Sequence, residues 1–275
     1  MRNLKILLLS RKFDIYSSRR LVEEARLRSH EIYLWDPAWP LERCKVLPDV
    51  IIPRLASFEF QTALASLSTL EQRAAVTLNK SSDYSRARNK WFSYEIFCKH
   101  HIPAPESQLL PGHDFSFPCI VKELESSKGD GVFLVQNEAE FKKYSDHLGA
   151  VGLVQTFYPE AFGTDVRAFV VGNQIVAAMK RTAQPGEFRS NLSLGGTGEP
   201  CSLSTEETEI VLKTVACLNL QVSGVDLLRT RKGSLVLEAN PCPGLEGIEK
   251  YTKQNLAEKI IRYAEEIYDK TSSPR

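Results

Sequence analysis

The chain has 275 residues, enough for two or three subdomains rather than one undivided core. Apolar residues make up 43% and charged residues 25%, with no low-complexity tract, which excludes a disordered, collagen-like or membrane-embedded class. Lys and Arg number 35 against 34 Asp and Glu, so a net charge of +1 supplies no global pull toward nucleic acid or an anionic membrane.

The opening MRNLKILLLSRKFD carries an apolar run that leads into charge and not into a small-residue cleavage site. It reads as a buried strand over 4–9, neither a signal peptide nor a membrane span. A helix with a Ser N-cap candidate is expected over 17–30, strands over 31–36 and 49–55, and an amphipathic helix over 57–74. These lengths and this order describe a small parallel α/β unit ending near Asn79. It has no Gly-x-Gly-x-x-Gly, so a dinucleotide site is not indicated.

Beyond it, 83–100 reads as a helix closed by HIPAP, 118–124 and 131–136 as strands around ESSKGDG, and 138–148 as a helix. A strand follows at 151–159, then two strands within 165–181 that turn at Gly172-Asn173. The polar stretch TAQPGEFRSNLSLGGTGEP leads to a helix over 204–220, a hairpin over 224–240 and a last helix over 253–269. Mainly antiparallel strands with helices alongside make this part α+β. The six cysteines are scattered and never form Cys-x-x-Cys, and no histidine pair has zinc-site spacing. Free thiols in a reducing cytoplasm are expected, and chemistry without thiol or imidazole.

The hairpin GVDLLRTRKGSLVLEAN holds the first chemical signal. A turn centred on Lys232 sets Asp226 opposite Glu238, with Cβ atoms about 5 Å apart, and Asn240 on the same face. Two carboxylates so placed need a cation or a shared proton, and such oxygen ligands suit Mg²⁺. The alternative is a solvated strand face with Arg229 or Arg231 as partners, and a one-residue slip would part the acids. Lys122 ends the apolar run Cys119-Ile120-Val121, facing either an anion inside or solvent at the strand edge. The loop SSKGDG can lay backbone N–H groups along phosphates or be a plain hairpin turn. Asp165 and Arg167 share one side of a strand; Arg189 and Asn191 lie in GEFRSN, where an arginine fork suits phosphate or carboxylate and equally a surface ion pair.

Taken together, ARNKW, CIVKELESSKGDGV, LVQTFYPEAFGTDVRAFVVGNQIVAAMKR, GEFRSNLSLGG, SGVDLLR and LEANPCPGLEGIEK resemble the ATP-grasp carboxylate–amine ligases. More narrowly the chain resembles the RimK-type α-L-glutamate ligases, which add glutamate to the C-terminal end of a ribosomal protein. LSRKFDIYSSRRL and VIIPRL extend the likeness to that family's leading domain. The resemblance implies an α/β pre-ATP-grasp domain over 1–78 and an ATP-grasp fold whose α+β subdomains, 79–157 and 158–275, clasp ATP. It implies phosphate contacts from Lys90 and Lys122, a phosphate loop with Ser127, Lys128, Gly129 and Gly131, and an adenine pocket along Gln155, Thr156, Phe157 and Tyr158. Asp165 would contact the nucleotide, and Arg189, Ser190 and Asn191 the phosphates. Arg189, Asn191 and Lys122 would be the catalytic set. Asp226, Glu238 and Asn240 match the family's ligands for Mg²⁺, two ions or Mn²⁺ in its place.

Arg11, Tyr16 and Arg54 are the candidates for holding the acceptor. The implied reaction joins a carboxylate to L-glutamate through an acyl phosphate, the acceptor being a protein C-terminus or a small glutamate peptide. A cytoplasmic homo-oligomer that touches neither membrane nor nucleic acid directly is expected. Asn89 stands where the family has Asp, Gln155-Thr156-Phe157 where it has Gln-Glu-Tyr, and Pro53-Arg54-Leu55-Ala56 where it has Pro-Arg-Ile-Gly. A ligase for another amino acid or a small-molecule acceptor is the near rival, and a non-catalytic ATP-binding regulator the rival of another class.

Overall fold

A computed structural model describes residues 3–55, 59–112, 115–126 and 129–272. The first unit is parallel α/β, as the sequence predicts. It runs β1 (Lys5–Ser10), α1 (Tyr16–Leu27), β2 (Glu31–Trp35), β3 (Val50–Arg54), α2 (Phe60–Leu70) and β4 (Val76–Thr77), with sheet order β2-β1-β3-β4. β1 is apolar from Ile6 to Leu9 because both of its faces are covered there. Ile6 and Leu8 join a core shared with α1, while Leu7 and Leu9 face the other way into a core with Leu67 and Leu70 of α2.

The single helix expected over 83–100 is two, α3 (Ser81–Arg88) and α4 (Lys90–Lys99). Asn89 breaks it: its backbone is extended, and its side chain accepts from the N–H groups of Trp91 and Phe92, both at 3.1 Å. That is an N-cap, and it fixes Lys90 in the first turn of α4. The middle sheet, in the order β5-β8-β6-β7, comprises β5 (Ser107–Leu109), β6 (Cys119–Glu123), β7 (Val132–Val135) and β8 (Gly152–Thr156). α5 (Glu138–Leu148) covers one face around a small core of Leu110, Cys119, Val121, Val135 and Val154.

The third sheet has the order β11-β10-β9-β12-β13, from β9 (Thr164–Val171), β10 (Gln174–Thr182), β11 (Thr197–Pro200), β12 (Val222–Thr230) and β13 (Gly233–Asn240). α6 (Thr205–Leu218) opens on a capping box, Ser204 and Glu207 each satisfying the other's backbone N–H, and covers one face. Within the stretch expected to be irregular before the last helix lies α7 (Glu246–Thr252), and the last helix itself, α8, spans Leu256–Ser272. α7 and α8 bury the Phe169, Val171 and Met179 half of the sheet's other face. They leave its Asp165, Arg167 and Asp226 half facing the middle sheet across a cleft.

The first unit and the third sheet share one core: Leu4, Ile6, Leu8, Leu21 and Val50 pack in the same cluster as Phe169, Ile248, Leu256 and Ile260. Polar contacts cross the same seam. Arg28 grips Glu265 with two bonds of 2.8 and 2.6 Å, and the Tyr16 hydroxyl donates to Glu249 at 2.8 Å.

Candidate active site

The cleft between the middle and third sheets encloses about 870 Å³ of space, part of it open solvent. On the middle-sheet side stand Ile120, Lys122 and Val132, with Gln155 on β8. Lys122 faces inward and is buried, which decides against the exposed-edge reading. Its Nζ donates to the Gln155 Oε1 at 2.6 Å. Burial and the neighbouring Lys90 charge lower its pKa to about 8, against the pull of Glu238 and Asp226. Lys90 is also lowered by burial, partly offset by Glu238. Its Nζ donates to the carbonyls of Glu123 at 2.9 Å and Ser126 at 3.1 Å and to the Ser126 hydroxyl at 3.1 Å, so it shapes the entry to the glycine-containing loop.

The floor of the cleft is a row of alternating charges on the third sheet. Asp226 lies opposite Glu238 in the β12–β13 ladder, as expected, though not for the reason expected. Near the turn Thr230 pairs with Gly233 and Leu227 with Val236, so the turn is centred between Arg231 and Lys232. Leu237 is an extra residue, a bulge that restores the opposition one pair later. Asp226 does not meet Arg229 or Arg231; Arg229 pairs with Glu207. Its carboxylate is instead gripped by Arg167 at 2.7 and 2.6 Å and by Arg181 at 2.7 Å. Burial would raise its pKa, and the two arginines outweigh that and hold it below the usual range. Arg181 also pairs with Asp165, whose other partner is the Ser190 hydroxyl at 2.5 Å. Arg167 reaches on to Glu238 at 3.8 Å, so its guanidinium is the cation between the two acids.

Arg189 lies at the cleft with its fork held by Glu187, at 3.0 and 2.8 Å, while its third nitrogen donates to the Gly129 carbonyl at 2.9 Å. The hydrogen-bonded guanidinium lowers the Glu187 pKa to about 2. Gly129, at φ +82°, brings backbone so near that a Cβ would stand 3.0 Å from the Asn191 Oδ1. The other end of the cleft is apolar, lined by Phe157, Tyr158, Phe162, Leu228 and Leu237, with Thr156 at its edge.

The structure therefore gathers Lys90, Lys122, Gly129, Gln155, Thr156, Phe157, Tyr158, Asp165, Arg189, Ser190, Asn191, Asp226 and Glu238 around one cavity. Ser127 and Lys128 lie outside the described residues. Gly131 sits behind the loop, its carbonyl accepting the Glu123 N–H at 2.8 Å. Asn240 follows Glu238 on β13, its Oδ1 engaged by the Cys242 N–H at 2.8 Å. Arg11, Tyr16 and Arg54 do not line the cavity. Arg11 pairs with Asp36 and Glu59. Arg54 is buried and donates to the Pro243 carbonyl at 2.9 Å. Sequence reasoning passed over Arg181, Glu187, Phe162 and Phe188. Counting back from the Gly172-Asn173 turn would place Arg181 opposite Thr164; a bulge at Val176 moves it opposite Asp165.

Asp226 on β12 and Glu238 and Asn240 on β13 offer two carboxylates and an amide oxygen on neighbouring strands, a hard donor set that fits Mg²⁺. Among the described residues no group of three or more His, Cys, Asp or Glu side chains is placed to hold a metal ion, so the candidate set depends on the Asn240 amide as its third member. An apolar slot, inward lysines and an acidic pair on the floor can hold a polyphosphate by charge and a ring by contact.

The sequence matches the RimK-like ATP-grasp domain over residues 87–264. It is 36% identical over 290 residues to a probable alpha-L-glutamate ligase of Xylella fastidiosa (strain M12), covering 96% of each chain. It is 37% identical over 292 residues to the protein of that name from Serratia proteamaculans (strain 568), again covering 96% of each. Among solved structures, the ATP-grasp ligase PsnB in complex with a phosphomimetic variant of its minimal precursor, Mg and ADP superposes with a TM-score of 0.73. That match is 16% identical and covers 97% of this chain and 99% of the other, and so speaks to the fold alone.

Proposed function

Because the chain belongs to the RimK-like ATP-grasp family and is an ATP-dependent carboxylate–amine ligase, we propose that it forms an α-peptide bond between an acceptor carboxylate and the amino group of L-glutamate. The observation that carries this is the opposed Asp226–Glu238 pair on the floor of a cleft whose other walls present Lys90, Lys122 and Arg189.

Lys90 and Lys122 attract the phosphates of ATP, and the apolar slot from Phe157 to Phe162 takes the base. Asp226, Glu238 and Asn240 are the residues to hold Mg²⁺, one ion or two, with Mn²⁺ able to replace it; the bound ion supplies charge neutralisation at the transferred phosphoryl group. Arg189 and Asn191 steady the acceptor carboxylate while its oxygen attacks the γ-phosphorus, giving an acyl phosphate and ADP. The glutamate amine then attacks the acyl carbon; the C–N bond forms, the C–O bond to phosphate breaks, and the amine gives up a proton. The cleft walls keep water from the acyl phosphate between the two steps. The acceptor is a protein C-terminus or a glutamate peptide. Arg11, Tyr16 and Arg54 remain proposed for its side of the site, Tyr16 and Arg54 being bonded to the segment that follows the metal ligands.

The test is ADP release with Mg-ATP and L-glutamate, set against other amino acids, followed by mass spectrometry of the products. Products spaced by glutamate residues are expected. Equal turnover with an unrelated amino acid would move the reading to another substrate. Tight ATP binding with no turnover on any amino acid or candidate acceptor would favour the non-catalytic regulator.

A further inference from the structure

We propose that Ser107, on the edge strand of the middle sheet and away from the cleft wall, is the positioning residue that sets the Lys122 ammonium toward the nucleotide phosphates through Gln155. The proposal rests on the ATP-dependent reading of the cleft and assigns Gln155 a different task from lining the base pocket.

The three side chains form one buried line, each less than a tenth exposed. Ser107 lies opposite Gln155 in the β5–β8 ladder, and Lys122 on β6 is the diagonal neighbour of Gln155. The Ser107 hydroxyl donates to the Pro105 carbonyl at 3.0 Å. A hydroxyl has one proton, so its oxygen is left to accept, and it accepts from the Gln155 Nε2 at 2.9 Å. That fixes the amide: its NH₂ end faces Ser107 and its oxygen faces Lys122, 2.6 Å from Nζ. The direction of every bond in the line follows from one backbone carbonyl. With the amide reversed, NH₂ would face NH₃⁺ and a buried cation would lose its acceptor.

The choice of a neutral acceptor has a consequence for function. An amide oxygen holds the ammonium in place and takes one of its three protons without cancelling its charge. A carboxylate at position 155 would hold it as firmly and neutralise it. The line thus fixes a cation at full charge beside the place where phosphates enter.

The experiment compares Ser107→Ala, Ser107→Thr and Gln155→Glu with the wild-type chain, measuring ATP affinity by calorimetry in the presence of Mg²⁺, KM and kcat for ATP, and the melting temperature without ligand. Ser107→Ala is expected to weaken ATP binding and raise KM by about fivefold, the size of one lost neutral hydrogen bond, with a smaller effect on kcat. Ser107→Thr, which keeps the hydroxyl, restores both. Gln155→Glu weakens ATP binding at least as much while keeping the melting temperature, and it carries the test should Ser107→Ala fail to fold. Ala and Thr variants equally impaired, or Ala and Glu variants that bind ATP like the wild type, would overturn the positioning role and leave the ligase reading standing. A wild-type chain that binds no ATP would sink both.

Discussion

Glu238 is the open member of the charged row: its side chain is 39% exposed, whereas that of Asp226 beneath two arginines is 3% exposed. Glu238→Gln should therefore cut ADP release by about a hundredfold or more and leave the fold intact. The melting temperature is expected to hold or rise, since a like charge opposite Asp226 is removed. Steady-state ADP release and a thermal melt check this together, and wild-type rates would take Glu238 out of the metal role. Lys122 makes a second prediction, in pH. Its pKa in the fold is about 8 against an ordinary 10.5, so the unfolded chain holds the proton over that interval and the folded one has released it. Stability should rise as pH climbs from about 8 toward about 10, because the buried charge is relieved. ATP affinity should fall over the same range, because the phosphates lose a cation. Urea denaturation and calorimetry across that window would show the opposite slopes; parallel slopes would remove Lys122 from the phosphate site.

The elements carry their signals unequally. Alternation and apolar runs made the strands legible, and the helix expected from 204 does begin there, with Ser204 as the N-cap of α6. Bulges left no such trace. Nothing in Ser234-Leu235-Val236-Leu237-Glu238 marks Leu237 as the surplus residue, so a correct opposition followed from a turn centred half a residue away. The bulge at Val176 hid Arg181 in the same way. The Leu237 bulge shifts the ladder directly before Glu238 and the Val176 bulge five residues before Arg181; the motifs shared with a ligase family pointed to Glu238 but not to Arg181. Asn89 was read as a departure from an aspartate, yet either residue caps a helix. Asn89→Asp should keep both stability and ATP affinity. Asn89→Ala should cost about 1 kcal/mol and weaken ATP binding by loosening the turn that carries Lys90. Denaturant titration with ATP titration tests the pair, and an alanine variant equal to wild type in both would refute the cap's role.

For the whole molecule, the boundary visible in the sequence near Asn79 separates sheets but not cores. Leu4, Ile6, Leu8, Leu21, Val50, Ile52, Val76 and Leu78 from before it are packed with Phe169, Met179 and Ile260 from after it. Each such side chain contributes about 1.5–3 kcal/mol by burial, and a whole domain is stable by only about 5–15 kcal/mol. A chain beginning at Asn79 should therefore fail to fold cooperatively, although it would contain every residue of the cleft. Near-ultraviolet circular dichroism and a thermal melt of that fragment are the check; a sharp transition would show that the core can be divided. The middle sheet keeps a small core of its own. No helix among the described residues is long and apolar enough to cross a membrane.

Arg167 gives the cleft an order of events. Because its guanidinium lies between Asp226 and Glu238, the acidic pair has an incumbent counter-ion that cannot diffuse away. A bare divalent ion arriving from solution has to evict a tethered rival and offers that rival nothing in return. An ion arriving on a triphosphate brings negative charge with it. The protein should be nearly blind to free Mn²⁺ and bind it readily with ATP. Arg167→Met, which keeps Arg181 on Asp226 but frees the side facing Glu238, should take up more Mn²⁺ alone than the wild type, as paramagnetic resonance would show. Strong Mn²⁺ uptake by the wild-type chain without nucleotide would dismiss the idea. On the expected outcome the site would be protected from stray metals in a crowded ionic medium, admitting a cation only as the passenger of its substrate.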